Sequence, residues 1–129
     1  MPDFAITITP RFYETDALGH INNASIAAWF EVARMHFLDT VVERGPESAK
    51  DWVLASLKID FINETFFGTD VIATIVGAGV GNSSLTVECE MSQDEKPTVK
   101  GTAVLVHLDP QSKTPVRIPD ELRQAVEDL

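Results

Sequence analysis

An α+β fold is predicted, a curved antiparallel five-stranded sheet wrapped around one long central helix, and three observations predict it. Residues 24–42 carry apolar side chains around most of a helical circumference. One short strand-like segment precedes them, and four more follow with short connections between them. A helix apolar on most sides is a core element and cannot bury itself, so the strands must enclose it.

The elements follow in chain order. Residues 4–9, FAITIT, alternate Ile6 and Ile8 with Thr7 and Thr9, the two-residue period of a half-buried strand. Pro10 closes it, and residues 11–23 read as a loop. The helix then runs from Ala24 to about Val42, with Gly45-Pro46 as its stop signal. At 1.5 Å per residue it spans roughly 27 Å, about the width of a small domain. Residues 52–63 place Val53, Ala55, Leu57, Ile59 and Phe61 on one face, with Ser56, Lys58 and Asp60 on the other. Residues 70–76, DVIATIV, are β-branched and short, and GAGVGNSS then reads as a turn. Residues 85–92 put Leu85, Val87, Cys89 and Met91 inward, and SQDEKP turns the chain into a last strand over 98–108. A short C-terminal helix starts near Pro119, with Asp120 and Glu121 suited to its positive end. Short connections favour antiparallel pairing, and an edge strand left open favours a homodimer or homotetramer.

Size and composition narrow the function. A chain of 129 residues is long enough for one real core and too short for two, so 1–129 is expected to be a single domain. The start, MPDFAITITP, lacks a basic segment followed by a long apolar run, and no stretch approaches the roughly 18 apolar residues of a membrane span. One cysteine, Cys89, excludes an internal disulfide and fits a reducing, cytoplasmic compartment. The net charge of −10, with basic residues scattered, argues against nucleic acid and anionic membrane as partners. His36 and His107 have no companions at metal-ligand spacing, so no metal site is expected. There is no Gly-x-Ser-x-Gly elbow, so serine-hydrolase chemistry is not indicated.

The stretch Tyr13-Glu14-Thr15-Asp16-Ala17-Leu18-Gly19-His20-Ile21-Asn22-Asn23, followed by Trp29-Phe30-Glu31-Val32-Ala33-Arg34, carries a resemblance. It is similar to the 4-hydroxybenzoyl-CoA thioesterase-like acyl-CoA thioesterases of the hotdog fold. LKIDFINETFFGTDV, GNSSLTVECEM, KGTAVLVHLD and the closing IPDELR resemble the family's later segments, so the likeness covers about residues 5–127. The departures are Asn22-Asn23 where many members carry Tyr-His, and Ile26 and Trp29 where tyrosine is common.

The resemblance implies hydrolysis of an acyl-CoA to a free acid and coenzyme A, with coenzyme A present only as part of the substrate and no separate cofactor. It also implies that Asp16 attacks the carbonyl or activates water. On pattern alone Asp16 reads as an Asx-turn or cap, and it is the resemblance that turns it to a catalytic role. The first turn of the long helix offers free amides and a positive dipole end, which makes the backbone N–H near Asn23 or Ala24 the candidate oxyanion donor. His20 is a candidate pocket wall, or else a loop residue bonded to backbone. Asn22 or Asn23 caps the helix. Phe61, with Ile26 and Trp29, suggests a bulky apolar lining. Ser83 and Ser84 line a pantetheine channel or simply form a turn. Glu31 and Arg34 can pair along the helix. Lys58, Lys96 or Lys100 are the bases offered for coenzyme A phosphates. Two other functions stay open: a hotdog hydratase or dehydratase, and a non-catalytic acyl-CoA or acyl-carrier binding module.

Overall fold

The computed structural model describes residues 4–42 and 51–129. Its strands are β1 (Ala5–Ile8), β2 (Trp52–Phe61), β3 (Val71–Val80), β4 (Ser84–Gln93) and β5 (Lys96–His107). The helices are α1 (Asn23–Val42) and α2 (Asp120–Glu127), and a 3-10 turn covers Phe12–Glu14. The strands form one five-stranded sheet in the order β1-β3-β4-β5-β2, antiparallel at every junction. This is the hotdog architecture. The Gly45-Pro46 stop signal lies outside the described residues.

The core follows from the alternation in β4. Leu85, Val87, Cys89 and Met91 are all buried against Phe30, Phe37 and Leu38 of α1 and Val71, Ala73 and Ile75 of β3. Phe37 also meets Phe4 edge to face, with ring centroids 5.0 Å apart. From α2, Ile118 (just ahead of it), Leu122 and Val126 close the far side of the same core. Replacing Phe30 or Phe37 by alanine costs about 3–5 kcal/mol in such a setting.

Three expectations are corrected. The GAGV segment is strand rather than turn: Gly77–Val80 stay paired with Glu88–Leu85 of β4, and Val76 is an extra residue between the Ile75–Cys89 and Gly77–Glu88 pairs. The bulge switches the inward set from Val71, Ala73 and Ile75 to Ala78 and Val80, so alternation read straight through the segment breaks down. Ala55 is a second extra residue, between the Leu54–Leu105 and Ser56–Val104 pairs. Trp52 and Leu54 therefore face α1 with Leu57, Ile59 and Phe61, while Val53 turns outward. Third, α1 is not enclosed on every side: Ala28 and Val32 face out, Val32 with 55% of its surface exposed.

The connection from β2 to β3 matters most for function. These strands are consecutive in sequence but sit apart in the sheet, so residues 62–70 must pass the ends of β5 and β4. Gln93 pins this crossover: its Oε1 accepts the Phe66 N–H at 2.9 Å, and its Nε2 donates to Phe66 O at 2.8 Å and Thr69 O at 2.9 Å. A buried amide with its donors and acceptor used in this way is a rigid staple. The loop is thereby held over the end of the sheet where α1 begins.

Candidate active site

The β1–α1 loop is folded by its own polar groups. Asp16 N–H donates to His20 O at 2.7 Å and Gly19 N–H to Asp16 O at 3.2 Å. Gly19 takes φ +81°, a conformation that side chains other than glycine adopt only with strain. Asp16 Oδ1 accepts the amides of Leu18 at 2.8 Å and His20 at 3.1 Å, while Oδ2 has no hydrogen-bond partner among the described residues. The Asx-turn read from the pattern is thus present, and it uses only one of the two carboxylate oxygens.

Asn22 is the helix cap. Its Oδ1 accepts the Ser25 N–H at 2.8 Å, its carbonyl accepts Ile26 N–H at 3.3 Å, and its Nδ2 donates to Glu14 O at 2.9 Å. Those bonds use the third and fourth amides of the first turn. The amides of Asn23 and Ala24 carry no hydrogen bond among the described residues and point outward at the positive end of the helix.

A cleft of about 570 Å³ opens where this helix end meets the β2–β3 crossover. Asp16, His20, Asn22 and Asn23 line one wall; Phe61, Ile62, Asn63, Glu64 and Thr65 line the other; Ile21 and Ile26 form the apolar floor. The volume lies within the ordinary range for small-molecule sites. His20 spans the walls, its Nε2 lying 3.1 Å from Glu64 Oε2 and its ring edge-on to Phe66 with centroids 5.0 Å apart. Its side chain therefore joins Glu64, while its backbone N–H holds Asp16.

Several candidates lie elsewhere. Ser83 and Ser84 sit by the β3–β4 turn, where Ser84 pairs with Val106, whereas Phe61 pairs with Val99. Seven positions along β5 put them about 23 Å from the cleft within one protomer. Ala24 adjoins the cleft without lining it. Trp29 faces the other side of the β1–α1 loop, where its indole N–H donates to Glu14 Oε2 at 2.9 Å. Glu31 and Arg34 do not close to an ion pair. Arg34 is buried, and burial holds its guanidinium below the ordinary value, with the charge of Glu31 opposing. Lys58 lies 3.6 Å from Asp60 and Lys100 lies 3.8 Å from Glu90. Among the described residues no group of three or more His, Cys, Asp or Glu could hold a metal ion. No helix of the described residues is long and apolar enough to cross a membrane.

Glu14, Glu64, Thr65 and Gln93 are the site-shaping residues that sequence reasoning missed. Glu64 meets His20 across 44 positions of chain, and Gln93 reaches Phe66 across 27, so no local spacing marks either contact. An acidic residue beside a tyrosine in the 11–16 loop is the only trace of Glu14, and it is not distinctive.

One antiparallel sheet in the order β1-β3-β4-β5-β2, curved around one long helix, is the hotdog fold. The chain belongs to the thioesterase-like superfamily, whose family model matches residues 10–126. A predicted thioesterase from Bacillus stearothermophilus superposes with a TM-score of 0.87 at 31% identity, covering 97% of this chain and 94% of that one. A thioesterase from Thermus thermophilus, complexed with coenzyme A and Zn, superposes with a TM-score of 0.86 at 26% identity, covering 96% and 91%. The uncharacterized protein YsmA of Bacillus subtilis (strain 168) is 25% identical over 120 residues, 92% of this chain and 82% of that protein.

Proposed function

We propose that the protein is an acyl-CoA thioesterase that hydrolyses a thioester to a free acid and coenzyme A. One observation carries this reading: Asp16 and Asn23 line the same cleft, and among the described residues neither the Asp16 Oδ2 nor the Asn23 amide is engaged. The thioester carbonyl oxygen sits against the helix mouth, where the Asn23 amide, with Ala24 beside it, meets the charge that develops on it. A single donor of this kind is worth about 3–4 kcal/mol of transition-state stabilisation.

Asp16 Oδ2 either attacks the carbonyl carbon, expelling the thiolate of coenzyme A to leave a mixed anhydride that water then cleaves, or takes a proton from the water that attacks directly. Label found in the Asp16 carboxylate after single-turnover hydrolysis in ¹⁸O water identifies the anhydride route with water attacking the Asp16 carboxyl carbon, since direct hydrolysis places label only in the product acid. His20, Asn22, Phe61 and Thr65 shape the acyl passage. Coenzyme A as the leaving group is supported by the Thermus thermophilus relative at 26% identity, whose structure holds that molecule.

The protein works as one domain, in the cytoplasm, as a homodimer or a pair of dimers. The outer edge of β2 supports the assembly: no strand pairs with it among the described residues, and Val53 and Leu54 on it are 46% and 42% exposed. Phe61 ends the same strand, so a second copy laid along β2 would also wall the cleft.

A panel of saturated, aromatic and unsaturated acyl-CoA thioesters, read by thiol release, tests the reading. Release of free coenzyme A from at least one saturated or aromatic substrate supports it. Hydration of crotonyl-CoA without thiol release turns the assignment to a hydratase, and tight binding without any reaction turns it to a binding module.

A further inference from the structure

Glu14 is a buried carboxylate with 8% of its surface exposed, and no cation lies within ion-pair distance of it among the described residues. A charge so placed is costly unless its oxygens are filled. Both are filled by N–H groups: Oε1 accepts the Arg11 amide at 2.7 Å and Oε2 accepts the Trp29 indole at 2.9 Å. The backbone of the same residue is equally engaged, its carbonyl accepting Asn22 N–H at 2.8 Å and Asn22 Nδ2 at 2.9 Å. Only a carboxylate supplies two acceptors and no donor at such a place; glutamine would turn an NH₂ group toward one of two N–H donors.

These bonds hold the β1–α1 loop to the helix at two points, Asn22 and Trp29, about 10 Å apart along its axis. A cap bond alone would leave the loop free to swing about the helix end. Two attachments remove that rotation, and Asp16 stands two residues beyond the clamp. We propose that Glu14 is a positioning residue: together with Trp29 it fixes the Asp16 carboxylate relative to the open amides of α1. This rests on the thioesterase reading for its effect on rate, and on the loop geometry alone for its effect on order.

Glu14→Gln, Trp29→Phe and the double variant test it, with two readouts. In turnover of the best acyl-CoA substrate, Glu14→Gln lowers kcat about tenfold to a hundredfold while KM moves less than about threefold, the cost of misplacing a reacting group by about an ångström. Trp29→Phe lowers it less. The double variant recovers part of the loss, because phenylalanine removes the donor that the glutamine NH₂ would oppose. The second readout needs no substrate: amide exchange of Leu18 and His20, the donors to Asp16, speeds up at least about tenfold in Glu14→Gln while the middle of α1 stays protected.

Unchanged kcat and unchanged exchange at Leu18 and His20 overturn the proposal. So does a loss of activity that merely follows the unfolded fraction, or a double variant no better than Glu14→Gln. If Glu14→Gln does not fold, Trp29→Phe decides, and full kcat with full protection in that variant is a negative result. If the wild-type protein hydrolyses no thioester, the catalytic reading falls while the exchange measurement still judges the clamp.

Discussion

Phe30 of α1 lies directly over Gly101 of β5. A Cβ built on Gly101 would stand 2.8 Å from the Phe30 Cζ and 2.9 Å from its Cε2. The helix approaches the sheet this closely because β5 has no side chain at that point, and Gly101 is also paired with Cys89 on one side and Ile59 on the other. Gly101→Ala must therefore push the ring off its rotamer or lift the helix, and is expected to destabilise the protein by about 1–3 kcal/mol. Urea unfolding checks this; an unchanged midpoint would show that the ring has room to move.

Cys89 lies under the helix near Arg34, and burial pushes its thiol from the ordinary 9.0 up to about 12, with Arg34 pulling down and Glu90 pushing up. Because the folded value is the higher one, the folded state holds this proton more tightly than the unfolded chain. Its contribution to stability is complete below pH 9 and is lost as the pH rises from 9 towards 12. The expected result is alkylation of Cys89 by iodoacetamide at pH 8.5 only at the rate of unfolding. Chevron data at pH 8, 9 and 10 should show stability falling chiefly between pH 9 and 10 in the native protein and less so in Cys89→Ala.

The β4–β5 hairpin turns through Asp94 at φ 50° and Glu95 at φ 65°. Both lie in the left-handed region, the pattern of a two-residue turn that prefers Asn-Gly or Asp-Gly. Glu95 has a side chain where glycine fits without strain, so Glu95→Gly is expected to stabilise the protein by about 0.5–1 kcal/mol after the added chain entropy is counted. Thermal melts of the two proteins settle the sign.

Asn22 serves both as the cap of α1 and as the partner of the Glu14 carbonyl. Asn22→Ala removes both side-chain bonds and is expected to cost about 1–2 kcal/mol. Asn22→Asp keeps the acceptor for Ser25 while losing the donor to Glu14. Equilibrium unfolding should rank the three proteins as wild type, Asn22→Asp, Asn22→Ala in falling stability.

The fold was legible because its strongest signals are local. The apolar circumference of residues 24–42 demanded a surrounding sheet, and the clean alternation from Leu85 to Met91 gave the face it packs on. What could not be read depended on single inserted residues and on distant partners. Val76 and Ala55 are bulges that reverse the inward set, and no residue type announces them. The turn at Asp16 and the cap at Asn22 were legible because they lie within one loop. Glu64 and Gln93 were not, since the crossover that brings them to the cleft is a consequence of strand order.

Asp16→Asn is the most direct test of the central claim. Asparagine keeps an Oδ1 that can accept the Leu18 and His20 amides, so the loop retains its shape while the group loses its ability to attack or to take a proton. The expected outcome is an unchanged melting temperature with kcat for the best acyl-CoA substrate lowered about a hundredfold to ten-thousandfold. Turnover within a few-fold of wild type, in a protein of unchanged fold, would contradict the account.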